Sequence, residues 1–184
     1  MSQGSALPGA ALDLRGYIRE IPDFPREGIL FKDITPLLLD GRALDSAVES
    51  LAAWARPRRP ELVIGPEARG FILGGAVARE LGVGFVPARK PGKLPARVVS
   101  AEYELEYGVD ALEVHADALA GGTRVLIHDD LIATGGTVRA LIELVEGLGA
   151  SVVGCCFVVE LGFLNPRSRL PELDVHALVE YPTE

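Results

Sequence analysis

Residues 125–137 set chemistry-bearing groups in a useful order: Val125-Leu126-Ile127-His128-Asp129-Asp130-Leu131-Ile132-Ala133-Thr134-Gly135-Gly136-Thr137. An apolar run, read as a buried strand, ends in two carboxylates, Asp129 and Asp130. Ionised carboxylates accept hydrogen bonds from vicinal hydroxyls. In the turn that follows, Ala133, Thr134, Gly135, Gly136 and Thr137 offer backbone N–H groups that an anion can approach, because glycine carries no Cβ. The helix that begins there adds partial positive charge. A phosphorylated sugar would use all of these groups at once. Neither Gly-Lys-Ser/Thr nor the dinucleotide glycine pattern is present. Gly-Gly-Thr alone reads better as a capped strand-to-helix turn; the ordered set favours a ribose-phosphate site.

A second cluster is basic. Arg89, Lys90 and Lys93 crowd a Pro/Gly-rich loop in a chain of net charge −8. Such a loop suits a diphosphate leaving group, on which charge builds as its bond breaks. A solvated charge run is the plainer alternative, and the loop's place after an apolar strand favours function. Arg69 stands near a helix start, where a cation opposes the helix dipole and a bound phosphate would compensate. A weak surface pair with Glu67 is the alternative there. Alternation puts Tyr103, Leu105 and Tyr107 on one face of a strand, and Glu104 and Glu106 on the other. By itself that describes an exposed ribbon. Residues 21–36, rich in turns and aromatics, read as an irregular strap outside the sheet.

The elements that must position these groups follow from periodicity. Leu44, Ala47, Val48, Leu51 and Trp54 share one face of a helix over 43–55. Short apolar strands are expected at 62–65 and 83–88, with a helix over 68–81 capped by Gly82 between them. A hairpin is expected around Gly108, joining 103–107 to 111–114. Strands at 124–128, 151–159 and 174–179 follow, with a helix over 136–148. Strand–helix alternation predicts an α/β fold with a parallel sheet and right-handed crossovers. In such sheets ligands bind beyond the carboxyl ends of the strands. Residues 65–67, Arg89 and the Asp129–Asp130 pair would all emerge at that edge.

The 184 residues suit one domain with a sizeable core. At 48% hydrophobic and 24% charged the chain is globular, and its acidity argues against non-specific nucleic-acid binding. No apolar run approaches membrane-spanning length. The first ten residues lack the pattern of a signal peptide and read as a loose tail. Cys155 and Cys156 are adjacent, hence on opposite strand faces, and read as reduced core thiols. His115, His128 and His176 form no metal-binding spacing. His128 either faces a helix structurally or tunes Asp129.

These motifs, in this order, resemble the type I phosphoribosyltransferases from about Asp13 to about Leu161. Within them, the strap around Phe24-Pro25 and Phe31-Lys32-Asp33-Ile34 and the Leu105-Glu106-Tyr107-Gly108 run resemble the adenine-specific branch. The resemblance implies a single domain over 1–184: a central parallel sheet flanked by helices, an N-terminal hood at about 13–40, and a basic loop and flexible flap at about 89–108. It implies purine salvage, with adenine and 5-phospho-α-D-ribose 1-diphosphate (PRPP) giving AMP and pyrophosphate. Mg²⁺ would arrive bound with PRPP rather than in a protein cage. By matching, Asp129 and Asp130 hold the ribose hydroxyls and Ala133, Thr134, Gly135, Gly136 and Thr137 the 5-phosphate. Arg69, Arg89, Lys93 and, less directly, Lys90 meet the pyrophosphate. Arg89 counts among the catalytic residues with Glu106, the proton-transfer candidate, and Tyr107, which packs over the reacting groups. Leu30 and Lys32 flank the base, Phe31 stacks on it or fills the hood, and Leu161 lies near it. A cytoplasmic homodimer is implied as well, with no nucleic-acid or membrane partner. The rivals are the same chemistry on xanthine or hypoxanthine, and a PRPP-sensing regulator without catalysis.

Overall fold

The computed structural model describes residues 12–105 and 108–183. Most of the expected N-terminal tail, and Glu106 and Tyr107, therefore lie outside the described residues. The chain divides into two compact units, one up to Ser46 and one from Ala47 onward.

The first unit holds two short antiparallel strands, β1 (Arg19–Ile21) and β2 (Phe31–Asp33), then helix α1 (Thr35–Leu39). The strap expected to be irregular thus carries a small ladder of its own. Asp33 explains the sharp turn into α1: it accepts from the Thr35 amide at 2.9 Å and hydroxyl at 2.7 Å while pairing with Arg19. Helix α2 (Gly41–Ala55) follows, and Ala43, Ala47, Leu51, Ala52 and Ala55 on its apolar stripe are fully buried.

The second unit is a parallel sheet with crossover helices. Strand β3 (Leu62–Pro66) leads through α3 (Arg69–Leu81) to β4 (Gly84–Ala88). The helix ends where Gly82, at φ +74°, turns left-handed and returns its N–H to the carbonyls of Ala78 and Arg79. An antiparallel hairpin comes next, β5 (Val98–Leu105) and β6 (Gly108–His115), longer than alternation alone indicated. Strand β7 (Arg124–Ile132), helix α4 (Gly136–Gly147), β8 (Ser151–Leu161) and β9 (Val175–Tyr181) complete the unit. The sheet order is β4-β3-β7-β8-β9, all parallel.

Strands covered on both faces read as unbroken apolar runs. Accordingly Ile64, Val86, Val125, Ile127 and Phe157 are buried against Val138, Leu141, Leu144 and Val145 of α4. Each such side chain contributes roughly 1.5–3 kcal/mol by burial. Both cysteines are buried within β8, and burial pushes the Cys155 thiol up to about 12.

One boundary differs from expectation in a way that matters. Strand β7 does not stop at His128 but continues to Ile132, so both aspartates belong to the strand. Pairing with β8 carries it on: Asp129 lies opposite Phe157 and Leu131 opposite Val159. Ladder hydrogen bonds and an apolar neighbour outweigh the poor strand preference of aspartate.

Candidate active site

The carboxyl edge of β3, β4 and β7 collects the reactive groups. Ile64 is opposite Ile127, and Pro66 is opposite Ala88. The turn after β3 therefore rises beside Asp129 and the loop after β4. Two glycines let the backbones meet there. A Cβ on Gly65 would lie 2.9 Å from the His128 carbonyl, and one on Gly70 would lie 2.9 Å from Asp129 Oδ1 and from Pro66 Cδ. The Glu67–Ala68 peptide bond within this turn is cis.

Arg69 opens α3 and donates Nε to Oδ2 of Asp130. Asp130 is 5% exposed. The guanidinium thus meets the acidic pair directly. Asp129 accepts the Asp130 amide on Oδ1 at 2.8 Å. Burial, then the adjacent Asp130 charge, pushes the Asp129 carboxyl well above the usual carboxylate range. A cation or a hydroxyl-rich ligand arriving here would return it to the charged, accepting form.

His128 is fully buried on β7, with Nδ1 3.6 Å from the Cys156 sulfur and Nε2 without a hydrogen-bond partner. Burial lowers its pKa to about 4, against the pull of Asp130 and of the Cys156 backbone. Gly74 of α3 packs over the ring: a Cβ there would lie 3.4 Å from His128 Cδ2. The histidine faces a helix and stays neutral, which is the structural one of its two expected roles.

Beyond β7, Ala133 and Thr134 are half-buried and lead to Gly135, which adopts φ +83° as the residue before α4. Gly136 and Thr137 are the first residues of the helix. The expected turn of small residues therefore ends at a genuine helix N-terminus of 12 residues. Gly135 is also packed from outside, since a Cβ would meet the Pro166 carbonyl at 3.4 Å and Arg169 at 3.7 Å. Arg167, between those two residues, grips Glu160 with two bonds, 2.8 and 2.7 Å. Glu160 is 2% exposed at the end of β8. The sequence offered no motif in residues 162–170, so this support was missed; the only signal was an acidic residue inside an apolar strand.

The basic loop is organised by acids. Glu67 Oε2 accepts Arg89 Nε at 2.9 Å, while Oε1 accepts the Lys90 amide at 3.1 Å and faces Lys93 Nζ at 3.6 Å. Burial would raise the Glu67 carboxyl, but the Lys90 amide, the Arg89 guanidinium and the Lys93 charge hold it below its ordinary value. Lys90 turns its ammonium to Asp110 on β6, 2.9 Å away. Asp110 also accepts the Tyr103 hydroxyl at 3.2 Å. The hydrogen bond to Lys90 and its charge depress Asp110 despite burial. A chain of polar contacts therefore runs from the basic loop into the hairpin, Lys90 to Asp110 to Tyr103. Glu67, Asp110 and Tyr103 were not singled out as site residues, because each is ordinary in sequence and gains its role only through tertiary pairing.

The structure thus brings together Arg69 with the aspartates, and Arg89 with Lys93. Leu161 ends β8, half-buried, opposite Tyr181. The three other base-binding candidates lie in the first unit. Leu30 is half-buried just before β2, and Phe31 packs edge-on to Phe24 with ring centroids 5.1 Å apart. Lys32 is 4% exposed and paired with Glu20. Glu106 and Tyr107 fall outside the described residues, so the flap's proposed chemistry has no geometry here.

Residues 37–177 match the family described as Phosphoribosyl transferase domain. The chain is 57% identical, over 93% of its length and 99% of the relative's, to adenine phosphoribosyltransferase of Desulfitobacterium hafniense. It superposes on the crystal structure of adenine phosphoribosyltransferase from Thermoanaerobacter pseudethanolicus with a TM-score of 0.90 at 53% identity, covering 92% of this chain and 98% of that one. The Saccharomyces cerevisiae enzyme, solved with adenine and an imino-altritol bisphosphate, gives 0.86 at 40% identity, covering 90% and 96%.

Proposed function

This chain belongs to the phosphoribosyl transferase family, and from that membership we infer how its residues convert adenine and PRPP to AMP and pyrophosphate. It is a glycosyltransferase of purine salvage. The observation that carries the residue assignments is convergence. An acidic pair, a helix N-terminus behind small residues and a basic loop meet along one edge of the sheet.

In this reading the 5-phosphate sits on the backbone N–H groups of residues 133–137, at the positive end of α4. Asp129 and Asp130 accept the ribose hydroxyls and, once charged, stabilise the oxocarbenium-like sugar as the bond to pyrophosphate breaks. Arg69, Arg89 and Lys93 take up charge on the departing pyrophosphate, and Lys90 anchors the loop through Asp110. The adenine nitrogen attacks C1 of the ribose and loses its proton. Glu106 is the acceptor proposed for that proton, with Tyr107 packing over the reacting groups as the flap closes and excludes water. Leu30, Phe31, Lys32 and Leu161 are proposed to frame the base. Mg²⁺ enters with PRPP as part of the substrate and neutralises its diphosphate. A cytoplasmic homodimer completes the proposal. Among the described residues no helix is long and apolar enough to cross a membrane.

Parallel assays of pyrophosphate release from PRPP and Mg²⁺ with adenine, hypoxanthine, guanine and xanthine test this. Release with adenine alone is expected. Release with an oxopurine instead would overturn the base assignment, and tight PRPP binding without release would favour a sensor.

A further inference from the structure

We propose that Glu67 is a built-in counter-anion of the pyrophosphate subsite, a positioning residue that holds Arg89 and Lys93 until pyrophosphate takes them. The inference rests on the functional reading above and adds a residue to it.

The Glu67 side chain is only 11% exposed, yet both of its oxygens are engaged. Arg89 Nε lies 2.9 Å from one; the Lys90 amide at 3.1 Å and Lys93 Nζ at 3.6 Å share the other. Arg89 and Lys93 are the cations that the functional reading assigns to the diphosphate. The Glu67 backbone is tied to the end of β4, because its amide donates to the Ala88 carbonyl at 3.0 Å. The loop it holds starts directly after that strand. A carboxylate so placed presents two oxygens to the same cations that would meet phosphate oxygens, with less charge. Arg69 is treated alike on the ribose side, where Asp130 engages it. Cations on both sides of the site are therefore each paired with an internal anion.

The consequence follows from competition. Pyrophosphate must share or displace Glu67 at Arg89 and Lys93, so part of the attraction is spent against a like-charged neighbour. Binding of the free product is weakened and its release favoured.

Calorimetric titration of inorganic pyrophosphate with Mg²⁺ into wild type and Glu67→Gln tests this. The amide keeps the shape and an acceptor for the Lys90 N–H but removes the charge. Pyrophosphate is expected to bind Glu67→Gln roughly tenfold more tightly, which is about 1.4 kcal/mol, with a lower KM for PRPP and stronger product inhibition. A brace with no electrostatic role predicts the reverse: weaker binding and a higher KM. Equal or weaker binding by Glu67→Gln would overturn the proposal. Glu67→Asp retains the charge and withdraws it from Lys93; affinity between the other two is expected, and affinity below wild type would overturn the proposal independently. Wild-type turnover with adenine separates the two levels. If wild type turns over and the variants bind pyrophosphate no tighter, only this inference fails. If wild type neither turns over nor binds pyrophosphate, the functional reading fails and this inference with it.

Discussion

The Arg69 guanidinium donates Nε to Oδ2 of Asp130, 61 residues away in sequence, and so ties the first turn of α3 to the end of β7. A cation at a helix N-terminus and a carboxylate in a strand are each unfavourable alone. Together they offset one another, and both face the edge where substrate is expected. One contact thus links the carboxylate proposed for the ribose to the guanidinium proposed for pyrophosphate.

Arg69→Ala leaves Asp130 almost buried without this partner. Because the arginine is half-exposed, the stability loss is expected to be modest, about 1–2 kcal/mol, by thermal or urea unfolding. The kinetic loss should be larger: kcat/KM for PRPP is expected to fall by roughly two orders of magnitude, as for loss of a charge-stabilising donor. Unchanged kcat/KM would remove Arg69 from the phosphate site.

Much of this edge was legible in the sequence, and the reasons are local. The strand, acidic pair and small-residue turn are contiguous, and helix α3 announced its end at Gly82 through the need for a left-handed residue. What stayed hidden depends on distant pairing. Arg69 could be placed near a helix start, but periodicity does not report its pairing with Asp130, 61 residues on. The extension of β7 past His128 comes from ladder bonds to β8, which no local preference reports. Ladder pairing likewise made β1 and β2 out of a segment whose turns and aromatics suggested only a strap.

Arg167→Gln tests the support behind the phosphate turn. Glu160 would be left buried without either guanidinium bond. A destabilisation of about 1–2 kcal/mol is expected, discounted for the exposed arginine. Since residues 166–169 pack on Gly135, KM for PRPP should rise more than kcat falls. A pure stability loss with unchanged KM would make the ion pair structural only.

His128 gives a pH signature with a definite sign. Its pKa is about 4 in the fold against 6.5 as the ordinary value. Between those values the unfolded chain binds the extra proton, so this residue's contribution is complete above pH 6.5 and is lost as pH falls toward 4. The full contribution is about 3 kcal/mol by linkage. His128→Leu should flatten the slope of unfolding free energy over this window. An unaltered slope would show that the imidazole is not held neutral by burial.

The most direct test of the site is the initial rate of AMP formation from adenine and PRPP, compared between wild type and Asp129→Asn/Asp130→Asn, with melting curves alongside. The account predicts a fall of roughly a hundredfold or more in kcat/KM, with the fold retained. A folded double variant within a few-fold of wild type would contradict the assignment of the two aspartates to the ribose and its cation.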